Sequence, residues 1–334
     1  MDRNKLKKSL LGVAKDVVIA FTIVCIVMIA LYAYCGIWPP MVVVESGSMQ
    51  RFDDKSVVGV IDTGDMVFVK KVNGVGDITT YVDGEGSYTR YGNYGDVVIY
   101  RPDGLRERTL RDNLTETVVP IIHRAVIWIA VNTSKCQDLS GGGFDYDNCT
   151  FDVPSLARYG TRDTIILSNY GYWKDPVAIN LGSIMDNYEF KKVEPHSGFI
   201  TKGDHNFEVD QIYGRYEPVL PEWIVGRAVG ELPWFGLIKL KVTGSPLTGV
   251  PRNSWTGLYT SIFLLLFIPL LFDILYPKAM NWRERRKREK ARAADAEEAE
   301  HPDDVAAEMK APEPGAEGDA NLGNAEENIG ATHK

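Results

Sequence analysis

The sequence predicts a mainly β extracytoplasmic domain, mixed and mostly antiparallel, anchored by an N-terminal and a C-terminal transmembrane helix. Three observations lead there. Two long apolar segments stand towards the ends, Val17–Trp38 and Trp255–Tyr276. Positive charge crowds the terminal flank of each. Between them, short runs of β-branched and aromatic residues alternate with Gly and Asp, the pattern of strands and turns.

The chain has 334 residues, 45% hydrophobic and 25% charged, enough for one large domain or two small ones. Its formal net charge of -8 argues against nucleic acid as a partner. Residues 1–16 form a basic N-terminus with Lys5, Lys7, Lys8 and Lys15. Residues 17–38 carry no charge and, at ~1.5 Å per residue, match the ~30 Å hydrocarbon core. A cleaved leader would have an apolar stretch of only ~7–15 residues and a small-residue cleavage site, so an uncleaved anchor is expected. A buried core helix would show a polar face at helical spacing, and this segment has none.

The second apolar segment, residues 255–276, contains Pro269 and Asp273. Asp273 stands near its end, where a carboxylate can snorkel to the interface. A proline is tolerated in a membrane helix when the freed carbonyl finds another partner. Lys278, Arg283, Arg285, Arg286, Lys287 and Arg288 follow. Positive charge marks the cytoplasmic side, so both ends are expected inside and residues 39–254 outside a cell membrane crossed twice. Residues 277–334 are expected to be a disordered cytoplasmic tail, basic and then acidic. Its basic part suits contact with anionic lipid, and from Arg292 onward it lacks the large apolar residues a fold requires.

Cys25 and Cys35 fall in the first apolar segment and read as apolar fillers. Cys136 and Cys149 fall in the outer region, where a disulfide can persist; two free thiols are the alternative. There is neither a CxxC pair nor a histidine pair at ligand spacing, so no metal or other cofactor is expected. Asn113, Asn132 and Asn148 begin glycosylation sequons in the same region.

Strands are expected at Met41–Val44, Met66–Val72, Val97–Tyr100, Val118–Ile129, Thr164–Leu167, Gly198–Thr201 and Ile224–Val229. Gly64-Asp65 and Gly95-Asp96 each precede a strand and read as turns. Residues 131–197 are richer in Gly, Asn, Asp and Tyr and read as an insertion on the β body. Helical periodicity is poor outside the two apolar segments.

Chemistry centres on "VVVESGSMQ", Val42 to Gln50. Alone, Ser48 in such a turn reads as ordinary turn chemistry. Its place about ten residues beyond the first apolar segment sets it near a membrane surface. A serine hydroxyl becomes a nucleophile when a base takes its proton. The outer region offers three histidines, His123, His196 and His205. His123 lies in a strand-like run, where a satisfied structural histidine is the plain reading. His196 reads as an exposed loop residue. His205, in a polar turn, competes as the base. Asp204 and Asp210 supply carboxylates in one short stretch, and an acid beside the imidazole would fix its tautomer.

"SGSM", "HRAV", "TKGDHNFEVD" and "IVGRAVGELPWFG" occur in that order after the first apolar segment. Together they resemble type I signal peptidase, in its archaeal and endoplasmic-reticulum branch. The resemblance implies Ser48 as nucleophile, Ser46 with the Ser48 N–H at the oxyanion, His123 as base, Asp210 orienting it, and Asp204 as a structural or supporting acid. Gly226 and Arg227 fall in the block that closes the β core. Arg51 stands where the family usually has proline, and His205 where it usually has asparagine. The implied activity is serine endopeptidase cleavage of signal peptides from secreted preproteins. Partners would be those peptides, membrane lipid and the secretion machinery. The alternative is a membrane-anchored binding or scaffold protein, an inactive relative of the peptidase.

Overall fold

The computed structural model describes residues 3–109, 114–136, 143–156, 158–160 and 163–300. Asn113, residues 137–142 of the Gly-rich loop and the tail from residue 301 lie outside the described residues. The chain divides after Phe263 into two compact units. The first holds the β domain with both flanking helix segments, and the described part of the second is the rest of the last helix.

Helix α1 (Arg3–Cys35) is apolar enough over Ala14–Cys35 to cross a membrane, and none of its most apolar window is buried by protein. Shorter elements lead into the domain: β1 (Met41–Val43), β2 (Met66–Lys70), α2 (Tyr81–Gly84) and the hairpin β3 (Thr89–Arg90) with β4 (Asn93–Tyr94). β5 (Val97–Tyr100), the hairpin β6 (Glu107–Thr109) with β7 (Thr115–Thr117), and β8 (Ile121–Val131) follow. Then come β9 (Phe151–Val153), β10 (Arg158–Gly160), the hairpin β11 (Thr164–Tyr170) with β12 (Asp175–Asn180), α3 (Leu181–Lys191) and β13 (Gly198–Lys202). The chain closes with β14 (Ile224–Leu232), α4 (Gly236–Thr243) and α5 (Arg252–Glu300). α5 is also long and apolar enough to cross a membrane.

Among the described residues, one eight-stranded sheet runs β1-β2-β14-β5-β8-β9-β10, with β13 also paired to β8. Every strand pair described is antiparallel. β8 is the spine: its start pairs with β5, its middle with β13 and its end with β9. Its run IIHRAVIWIAV is rich in β-branched residues, which suit a pleated and buried surface. β2 and β5 each follow a Gly-Asp turn in which the glycine has positive φ, +96° at Gly64 and +74° at Gly95. That backbone region is open to glycine at little steric cost.

Three features differ from the sequence expectation. First, α3 is a helix inside a region without evident helical periodicity. Asn180 caps it, its Oδ1 accepting from Ser183 N at 2.9 Å, and Leu181, Ile184, Met185 and Tyr188 bury one face at spacings of three and four. The face spans only three turns, and polar residues interleave it. Second, the region 131–197 adds strands to the main sheet, where only Thr164–Leu167 is expected as a strand within it. β9 and β10 extend the main sheet, and the bonded, buried Cys136 and Cys149 share a core cluster with Val126, Ile127 and Ile129 of β8. Third, the last helix does not stop at Tyr276. It runs through Pro277 and the basic stretch to Glu300, because Ala, Glu, Lys and Arg there are strong helix formers.

Candidate active site

Ser48 lies on the connection that leaves β1. The next residue, Met49, is buried in the cluster of Val44, Ile61, Val67 and Val69, so the turn is pinned by its own side chain. Gln50 adds a second clamp. Its Oε1 accepts from the Thr63 backbone N–H and hydroxyl, and its Nε2 donates to the Phe52 carbonyl at 3.2 Å. A buried amide with its groups satisfied holds a loop in one geometry.

His123 sits on β8 opposite Val98 of β5. Side chains alternate along a strand, so His123 and Arg124 leave on opposite faces. His123 Nε2 is 2.9 Å from Ser48 Oγ, and its Nδ1 is 2.6 Å from Asp210 Oδ2. A carboxylate accepts only, so Nδ1 carries the proton of the neutral ring and Nε2 presents a lone pair. The Ser48 hydroxyl therefore donates to Nε2. Ser46 Oγ lies 3.2 Å from Ser48 Oγ and can donate to its free lone pair. Among the described residues, the Ser48 N–H makes no internal hydrogen bond.

Asp210 is held from several sides. Its Oδ2 also accepts from Tyr100 Oη at 2.9 Å and from Thr201 Oγ1 at 2.7 Å. Its N–H donates to the Thr201 carbonyl at 2.8 Å, and Gln211 bridges the Thr201 N–H and hydroxyl. Burial, and then the Asp210 charge, push the Tyr100 phenol well above its usual range, so it stays a donor. Tyr100, Thr201 and Gln211 are support that residue patterns did not single out. The available signal is a tyrosine ending an apolar strand, since a buried phenol needs a partner.

Asp204 does not touch His123. It pairs with Arg124, Nε to Oδ1 at 2.8 Å and Nη2 to Oδ2 at 2.6 Å. Both side chains are fully buried. Burial works against the guanidinium charge, but Asp204 outweighs it and keeps Arg124 protonated. Arg124 Nη1 also donates to the carbonyls of Arg90, Tyr94 and Gly95. The pair thus ties β8 and the β4–β5 turn to the loop after β13.

That loop reaches Ser48 through its backbone. His205 N donates to the Ser48 carbonyl at 2.9 Å, while the His205 ring pairs with Asp53 at 3.1 Å. The structure therefore places His123, not His205, on the Ser48 hydroxyl. His196 lies elsewhere, 3.1 Å from Glu217. Arg51 stacks between Phe52 and Tyr172, at 5.2 and 5.1 Å from the ring centroids. Gly226 of β14 packs against the Lys70 carbonyl, and Arg227 reaches Asp96 at 3.1 Å.

No protein-family model and no curated protein matches this chain. The chemistry of the site therefore stands on its own geometry. A hydroxyl, an imidazole and a carboxylate in one hydrogen-bonded line can carry a proton off the hydroxyl and hold the resulting charge.

Proposed function

We propose that this chain is a membrane-anchored serine endopeptidase of the signal peptidase I type, cleaving signal peptides from secreted preproteins. The observation that carries the reading is the line from Ser48 Oγ to His123 Nε2 at 2.9 Å and from His123 Nδ1 to Asp210 Oδ2 at 2.6 Å. Ser48 attacks the scissile carbonyl as its proton passes to Nε2. The developing oxyanion takes the unspent Ser48 N–H and the Ser46 hydroxyl. His123 returns the proton to the leaving amine, and the peptide C–N bond breaks. Water then attacks the acyl ester, giving its proton to His123, and Ser48 recovers its own as the ester opens. Loss of one oxyanion donor typically lowers the rate by ~10²–10³-fold.

The two long apolar helices support membrane anchoring, and the basic residues at their terminal flanks support residues 39–254 lying outside the cytoplasm. Under that arrangement the Ser48 turn follows α1 closely, and a substrate spanning the same bilayer meets it at raised effective concentration. The test uses purified full-length protein in detergent with a preprotein substrate. Ser48→Ala is expected to abolish cleavage. Unchanged cleavage would remove Ser48 as nucleophile, and binding without cleavage by the unmodified chain would favour the scaffold reading.

A further inference from the structure

A cavity of about 650 Å³ opens beside the site, between the β11–β12 hairpin and the loop after β13. Its wall includes Asp204 and His205, whose loop contacts Ser48. Trp173, 53% exposed, and Phe207, 91% exposed, are its accessible aromatic residues. Tyr170 and Val177 are buried parts of the lining. Phe207 in particular stands almost wholly open to solvent, and a concave apolar site of ~300–1,000 Å³ suits a ligand rather than a single trapped water.

Lys202 adds a polar anchor. It lines the cavity and is 3% exposed, with Nζ 3.1 Å from the Gly203 carbonyl and 4.8 Å above the Tyr170 ring. An ammonium has three donors, and one internal acceptor leaves two for a guest. Charges of both signs line the cavity: Arg124 pairs with Asp204, and Asp175 shares the wall with Lys202. Such a site selects an apolar group with a hydrogen-bond acceptor rather than an ion.

We infer that this cavity is a substrate subsite, taking a bulky aromatic side chain within about three residues of the scissile bond while Lys202 donates to a nearby peptide carbonyl. An extended chain advances ~3.3–3.6 Å per residue, and the Asp204–His205 loop that walls the cavity also holds the Ser48 carbonyl through His205 N. The hairpin tip is fixed over the nucleophile turn. Tyr172 stacks on Arg51 and donates to the Tyr91 carbonyl, and Trp173 packs edge-on against Phe52 at 6.2 Å. The substrate assignment rests on the acyl-transfer reading, but binding at the cavity needs no turnover.

The experiment measures equilibrium binding of fluorescent peptides to the full-length Ser48→Ala chain in detergent. Phenylalanine replaces alanine at each position near the scissile bond in turn. One position is expected to tighten binding about tenfold, and adding Trp173→Ala or Phe207→Ala is expected to shrink that ratio to about twofold. Phe190→Ala, on exposed surface outside the cavity, is expected to keep it. A flat series, or a ratio untouched by both cavity variants, overturns the subsite. Labelling of the unmodified chain by a fluorophosphonate separately reads Ser48. Labelling with a flat series leaves acyl transfer standing without the subsite. A discriminating series without labelling keeps the cavity as a peptide site and removes acyl transfer.

Discussion

Gly203 packs so closely against Ser48 that a Cβ built on it would stand 2.5 Å from the Ser48 carbonyl oxygen and 2.9 Å from His123 Nε2. Backbone cannot yield there as a flexible side-chain end could. Gly203→Ala is therefore expected to push the Ser48 turn and the imidazole apart. Displacement of about 1 Å can lower turnover by ~10²-fold. Cleavage kinetics and fluorophosphonate labelling of the variant check this, with a thermal melt to confirm folding. Wild-type rates would show that the contact does not position the nucleophile.

Asp210→Asn keeps the shape of the site but lets an amide N–H face His123, which favours the wrong ring tautomer. Turnover is expected to drop by ~10³–10⁴-fold with little change in KM. Tyr100→Phe removes one of the donors converging on the same carboxylate oxygen and is expected to lower kcat by about tenfold. The order of these two effects is the check.

His123→Ala is expected to abolish cleavage in folded protein, and His205→Ala to retain most of it. The His205 ring faces Asp53, and its contact with Ser48 is through the backbone N–H, which alanine keeps. Loss of turnover in His205→Ala alone would reverse the assignment of the base.

Asp204→Asn leaves the Arg124 guanidinium buried without its carboxylate. Removing one partner of a fully buried pair destabilises by about 3–5 kcal/mol, measured as a shift in the unfolding transition of the detergent-solubilised chain. Arg124→Lys is expected to be nearly as damaging, since an ammonium cannot reproduce the two-pronged contact.

The carboxyls of Asp65 and Glu231 are each raised to about 7, chiefly by burial. Asp62 beside them is raised for the same reason. Between the ordinary carboxylate range and pH ~7, the folded state holds protons that the unfolded chain has released. The contribution of these groups is therefore full at low pH and is lost as pH rises towards ~7. Among the described residues, buried Glu231 Oε2 has no hydrogen-bond partner, while Oε1 accepts from Gly59 N. Glu231→Gln keeps that acceptor and removes the titration. It is expected to flatten the fall in melting temperature between pH 4 and pH 7, roughly the window named above. A parallel curve for the variant would refute the assignment.

Much of the frame was legible along the chain because its causes are local. Apolar length, flanking charge, and Gly-Asp turns ahead of β-branched runs all act within a few neighbouring residues, and they marked both long helices and the starts of β2 and β5. α3 was not legible, since its apolar face covers only three turns and becomes decisive only once the β8 core lies against it. Nor could residue types show that 131–197 contributes strands to the main sheet.

Ser48, His123 and Asp210 could be named as candidates from the sequence, but not that the Ser48 hydroxyl meets the ring of His123 rather than that of His205, nor that Asp204 pairs with Arg124. Ser48 and His123 are 75 positions apart, and His123 and Asp210 are 87 apart. Their meeting depends on sheet register, on Met49 seated in its cluster and on the Arg124–Asp204 tie. Each of these is a long-range packing event with no trace in the neighbouring residues. Patterns along a chain report the chemistry available; three-dimensional packing selects which groups come within hydrogen-bond reach.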